Sequence, residues 1–123
     1  MLLALALLFS GAYLEADARL NGRILDINIR FINEGAPFTL EFHSQKLYDF
    51  EIQPANLRWS DSRVFGRGRA RRAMGPGVWR LRDRWILPPT IEPGEYKLRV
   101  WFDNTAGPKL ETTIPLTIPP PRQ

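Results

Sequence analysis

The sequence predicts an all-β domain, an immunoglobulin-like antiparallel β-sandwich of about seven to eight strands, and three observations lead there. From Arg23 onward apolar residues recur with period two, the spacing that sends alternate side chains to opposite faces of a sheet. Turn-forming pairs at Asn21-Gly22, Pro88-Pro89, Pro93-Gly94 and Gly107-Pro108 separate the apolar runs at short intervals. Helical spacing is scarce after Leu20. Many short strands between turn signals are the pattern of a sandwich, with a β-barrel as the alternative closure.

The elements follow in order. Leu14 to Leu20 and the alternating run Leu25, Ile27, Ile29, Phe31 make the first two strands, joined at Asn21-Gly22, a dipeptide that favours a type I′ hairpin turn. Phe38, Leu40 and Phe42 alternate with Thr39, Glu41 and His43, and Tyr48, Phe50 and Ile52 alternate with Asp49 and Glu51, giving two half-buried strands. On that alternation Asp49 and Glu51 form an acidic pair on the solvated face. A short piece spans Leu57 to Ser60, and Gly66 to Gly75 reads as an arginine-rich loop. The last strands are Val78 to Leu87, Tyr96 to Asp103 and Leu110 to Ile118, ending where Pro119, Pro120 and Pro121 can no longer donate to a ladder. Gly94 after Pro93 suits the third position of a type II turn, where φ is positive. The bulky Phe50, Trp59, Trp79, Trp85 and Tyr96 are expected in the core.

With 123 residues the chain has room for one core, and its 44% apolar content, including four Trp and seven Phe, is enough to fill it. The sandwich is assigned to residues 14–118 and a proline-rich tail to 119–123. The absence of cysteine excludes disulfides, zinc–thiolate sites and a thiol nucleophile. Leu2 to Phe9 is too short to span a bilayer but matches the apolar region of a signal peptide, with Ser10, Gly11 and Ala12 as small residues for cleavage, although no positive residue precedes it. Residues 1–12 are therefore read as a signal peptide, which makes the protein periplasmic or extracellular. If Leu2 to Leu14 instead packs on the domain, the protein is cytoplasmic.

Little points to catalysis. The one histidine, His43, falls on an exposed strand face, and no serine carries the glycines of a nucleophile elbow. The thirteen acidic residues show no metal-ligand spacing, and the alternating Gly-Arg segment after Phe65 lacks the lysine-serine pair and following helix of a phosphate-binding loop. The expectation is a non-enzymatic protein with no cofactor and no metal. The compositional anomaly is arginine: Arg63 to Arg84 contains eight arginines and one acid, Asp83, a local balance of +7 in a chain of net +4. Arg67, Arg69, Arg71 and Arg72 lie in the Gly-Arg segment, Arg80, Arg82 and Arg84 share a face of the next strand, and Trp101 faces outward with Lys97 and Arg99. Arg67, Arg69, Arg71, Arg72, Arg80, Arg82 and Trp101 are the candidate partner-binding residues, Arg and Trp being the types enriched at interface hot spots. Such a patch can contact an acidic protein rim, hold anionic polymers through salt-sensitive charge contacts, or simply be solvated.

The stretch from Asn33 to Trp101 carries an ordered set of landmarks: Asn33, Phe38-Thr39-Leu40-Glu41-Phe42, Ser44-Gln45, Tyr48-Asp49-Phe50-Glu51-Ile52, Arg58-Trp59-Ser60, Phe65, Pro76-Gly77, Trp85 and Glu92-Pro93-Gly94-Glu95-Tyr96. In this it resembles the BsuPI family. The resemblance implies an immunoglobulin-like domain that inhibits intracellular subtilisin-like serine proteases without catalysis of its own. Tyr48, Asp49, Phe50, Trp59, Ser60, Phe65, Trp85, Pro93, Gly94 and Tyr96 then read as structural residues of the motif. The apolar N-terminal run and the arginine-rich segment depart from the family pattern, and an envelope interaction module or an electrostatic binder of anionic polymers is the alternative function. Nucleic acid is not the expected partner.

Overall fold

The computed structural model describes residues 11–121. The apolar run at residues 2–9 lies outside them. Ten strands and one 3-10 turn follow in order: β1 (Ala12–Asn21), β2 (Ile24–Asn33), β3 (Phe38–Ser44), β4 (Tyr48–Gln53), β5 (Leu57–Arg58), the turn Trp59–Ser62, β6 (Arg67–Met74), β7 (Gly77–Ile86), β8 (Gly94–Phe102), β9 (Asn104–Ala106) and β10 (Glu111–Ile118). They form three antiparallel sheets, β1-β2-β7, β10-β8-β4-β5 and β6-β3-β9, with open edges and no closed barrel. The predicted all-β sandwich is present. The strand count exceeds the prediction because the arginine-rich segment is a strand, β6, and because the short β9 lies where no strand is predicted.

Period-two burial explains the layering. On β2, Leu25, Ile27, Ile29 and Phe31 are at most 1% exposed while the residues between them are not buried, and β1 and β7 flank that strand in full register. Leu40 and Phe42 of β3, Phe50 and Ile52 of β4 and Leu98 and Val100 of β8 supply the opposing apolar face. Contact between the layers is direct: the Phe31 and Phe102 rings stack at 5.7 Å, and Trp79 meets Phe102 edge-on at 5.9 Å. Phe50, Trp59 and Trp85 are buried as predicted, whereas Trp79 and Tyr96 are only half-buried at the margins.

Two turns differ from their predicted geometry. Asn21 pairs with Ile24, so the hairpin loop is Gly22-Arg23, shifted by one residue, and only Gly22 has positive φ, +63°. That is the pattern of a type II′ turn, which takes glycine at its first central position. Gly94 does have positive φ, but at +152° it is far from the roughly +80° of a type II turn and stands as the first residue of β8. The corner is instead held by Tyr96, whose hydroxyl donates to the Glu92 carbonyl at 2.7 Å.

Asn33 shows why a polar residue can sit in this interior. It is 2% exposed, accepts from the Gly35 amide at 2.9 Å, and directs its amide nitrogen at the carbonyls of Ala36, Met74 and Gly75, each at 3.3 Å. One side chain thus shapes the turn after β2 and ties it to the β6–β7 connection, satisfying groups that would be costly to bury unpaired.

Candidate functional site

Strand alternation places Asp49 on the same side of β4 as Glu51, yet Asp49 is fully buried, which corrects the expected exposed pair. The cause is the turn that follows β5. Trp59 and Ser60 straddle β4, one residue on each face: the Trp59 ring lies 5.6 Å from Tyr48 and 5.0 Å from Phe50, while Ser60 reaches Asp49. Asp49 accepts from Ser60 Oγ at 2.6 Å, the Ser60 amide at 3.2 Å, the Phe50 amide at 2.9 Å and Lys46 Nζ at 3.0 Å. Lys46 also lies 3.4 Å from Asp103. A buried carboxylate is tolerable only with such a set of donors. The Tyr-Asp-Phe and Trp-Ser landmarks are two halves of one clasp.

Tyr48 carries the clasp across the layers. Its hydroxyl donates to Asp83 of β7 at 2.7 Å, and burial first, then that hydrogen bond, raises its pKa well above the ordinary tyrosine value. Because the folded pKa lies above the unfolded one, near 10, the associated stability is complete below about pH 10 and is lost as pH rises beyond it. Tyr48→Phe is expected to cost about 1–2 kcal/mol at neutral pH and to flatten this alkaline loss. Urea denaturation of both proteins at about pH 7 and about pH 10.5, on either side of the ordinary tyrosine value, measures the difference.

Beyond the clasp the chain runs out as a loop, Ser62 to Gly66, before entering β6. Arg63 has extended backbone (φ −128°, ψ 153°), and its guanidinium lies 4.5 Å over the Trp59 ring and donates to the Arg84 carbonyl at 3.1 Å. Phe65 packs on the same indole with ring centroids 5.5 Å apart. The ends are pinned by Arg63 N donating to Ser60 O at 3.1 Å and Gln45 N donating to Gly66 O at 3.0 Å. Between these anchors Val64 is fully exposed. Composition points to Gly66 to Gly75 as the contact loop and passes over this one, whose signal is an apolar Val64-Phe65 pair between Arg63 and Gly66.

The structure does not gather the candidate partner-binding residues into one surface. Arg67, Arg69, Arg71 and Arg72 lie on β6, an edge strand paired with β3, so the arginine-rich loop is corrected to a strand. Register puts Arg72 on the inward side with Leu40, where its guanidinium covers Trp79 at 3.7 Å, while Arg71 pairs with Glu41 at 3.2 Å. Arg80 and Arg82 point outward from the β1-β2-β7 sheet, Arg82 at 4.0 Å and Arg84 at 3.0 Å from Asp26. Trp101 belongs to the outer face of the other layer. There Arg99 lies 4.4 Å and Arg58 5.3 Å from its ring, and these cations bind Glu111 at 2.6 Å and Glu51 at 2.7 Å. The hydrogen bonds from Arg58 and Arg99 hold the carboxyls of Glu51 and Glu111 below their usual range. Trp101 therefore sits in a neutralised network. Charged residues on open edges such as β6 and β7 also oppose edge-to-edge pairing with other chains.

Replacing Arg67, Arg69 and Arg71 together by alanine is expected to change stability by under about 1 kcal/mol, since exposed charges contribute little. Arg72→Ala should alone cost about 1–2 kcal/mol through the lost cation–π contact and packing. Thermal melts of the two variants make that comparison.

The serines and the histidine do not combine. His43 is exposed, Ser60 is engaged by Asp49, Ser62 Oγ donates to the Trp59 carbonyl and Ser44 Oγ accepts from the Lys46 amide. A cleft of about 820 Å³ between the β1–β2 turn, the Leu87–Pro93 segment and Ile118–Pro121 is lined mainly by aliphatic and proline side chains, Pro93 among them. Among the described residues no three His, Cys, Asp or Glu side chains cluster as metal ligands would, and no helix is long and apolar enough to cross a membrane.

An open antiparallel sandwich, clasped through its core and projecting one braced loop, places the chain among small β-sandwich domains. The family model described as BsuPI, intracellular proteinase inhibitor, matches residues 13–107, and the chain belongs to that family. No curated protein matches the chain.

Proposed function

We propose that this protein is a non-catalytic, stoichiometric inhibitor of a subtilisin-like serine protease, and that the Ser62–Gly66 loop is the segment presented to the enzyme. The observation that supports this reading is the loop itself: an exposed segment, extended at Arg63, whose neighbouring side chains are stacked on a buried indole. A segment ordered before binding loses less conformational entropy when docked than a flexible one, which favours occlusion of an active site over rapid cleavage. The family to which the chain belongs is described by proteinase inhibition. The Tyr96 hydroxyl bond to an upstream carbonyl, a feature of immunoglobulin-type sandwiches, supports an immunoglobulin-like topology.

The test is titration of the purified chain into a panel of serine proteases, following residual activity and the integrity of the chain. Inhibition at a fixed stoichiometry without cleavage supports the proposal. Free proteolysis of the chain and undiminished protease activity would overturn it. If residues 2–9 direct export, the target protease is extracytoplasmic, and N-terminal sequencing of the mature protein decides that point.

A further inference from the structure

We infer that Val64 is the side chain inserted into the protease's primary specificity pocket, and that the pocket it fits is apolar. The inference rests on the inhibitor reading and adds to it the contact residue and the class of enzyme.

Three observations lead here. Arg63 and Phe65 both turn down onto Trp59, at 4.5 Å and 5.5 Å, so extended alternation directs the residue between them away from the domain. Val64 is accordingly 100% exposed, while every other exposed large apolar residue among the described residues, Val78 and Ile86 included, lies on a strand and keeps part of its surface covered. Lastly, the adjacent cation is already engaged: Arg63 is stacked on the indole and bonded to the Arg84 carbonyl at 3.1 Å. An acidic pocket of the trypsin type would have to strip Arg63 from both partners, whereas an apolar pocket takes Val64 without rearrangement.

The backbone at Arg63, extended at φ −128° and ψ 153°, suits the same role. Extended chain can add as a strand to the substrate-binding edge of an enzyme, its main-chain groups supplying affinity and its alternate side chains supplying specificity. Arg67 and Arg69, exposed on β6 just past Gly66, stand where an acidic rim beside the pocket would meet them and would hasten association.

The experiment measures inhibition constants of the full chain and its variants against a subtilisin-type and an elastase-type protease, both with apolar primary pockets, and against trypsin. The expected result is inhibition of at least one of the first two and not of trypsin. Val64→Asp should weaken it on the order of 100-fold, since a carboxylate would then be buried in an apolar pocket, and leave the thermal midpoint unchanged. Val64→Arg should shift inhibition toward trypsin. If Val64→Asp inhibits as well as wild type, this inference fails while inhibition itself stands; if wild type inhibits trypsin alone, this inference and the subtilisin-like target both fail, and only inhibition of a serine protease stands. If wild type inhibits none of a wider protease panel, this inference and the inhibitor reading both fail.

Discussion

Trp59→Ala is expected to lower stability by about 3–5 kcal/mol, the range for truncating a buried aromatic side chain, and to abolish protease inhibition. Trp59 is 3% exposed and touches Tyr48, Phe50, Phe65 and Arg63 at ring distances of 4.5–5.6 Å. Its removal empties the space beneath the loop as well as the space between two core rings. The two consequences separate by comparison with Trp85→Ala. Trp85 is 6% exposed on β7, and its loss should cost a similar amount of stability while leaving inhibition intact at temperatures where the variant is folded. Trp59→Phe should lose much less, because it keeps an aromatic ring for Tyr48 and Phe50 and discards an indole N–H that is buried without a partner. Urea unfolding of the three variants, with inhibition assays on each, gives the comparison. A Trp59→Ala protein that unfolds like wild type would contradict the assignment of this residue to the core.

How far sequence specifies each element legibly tracks how strongly burial imposes a pattern. β2, β4 and β8 are flanked by strands on both sides, and their alternating apolar residues alone mark them as strands. β6 is not legible, because an edge strand buries little: of its eight residues only Met74 is buried, and the inward position opposite Leu40 holds Arg72. Its Gly-Arg composition therefore resembles a loop. Asp49 shows a different limit. Alternation correctly assigns its face, but exposure depends on the Trp59–Ser62 turn, whose Ser60 returns from 11 residues further along to cover it, and no local pattern announces that return. The Tyr48–Asp83 bond, which spans 35 residues, is hidden for the same reason. In the candidate site, the arginine count is visible in the sequence and its disposition is not: pairing across the sheets assigns Arg58, Arg71, Arg84 and Arg99 to carboxylates and Arg72 to an indole.

Asp49→Ala is the second variant for which a large effect is expected, about 3–5 kcal/mol, the scale for breaking a buried ion pair from one side. Four donors converge on this carboxylate, and the substitution strands the Ser60 hydroxyl and amide and the Phe50 amide while leaving Lys46 with Asp103 at 3.4 Å. Since Lys46 keeps one acidic neighbour, most of the loss comes from the Ser60 hydroxyl and amide and the Phe50 amide, all of which donate to Asp49. That distinction is measurable. Ser60→Ala removes a single hydrogen bond and should cost about 1–2 kcal/mol. With Asp49 already absent, the same change should cost much less, a coupling that a double-mutant cycle reads directly. Asp49→Asn preserves volume and can still accept from an amide, so its cost should fall between the two. The clasp also positions Trp59 under the loop, so Asp49→Ala should weaken inhibition even where the variant remains folded, although neither Asp49 nor Ser60 reaches the surface that a protease would touch. Equal inhibition by a folded Asp49→Ala protein would show that the aromatic stack alone, without the carboxylate beneath it, keeps the loop in place.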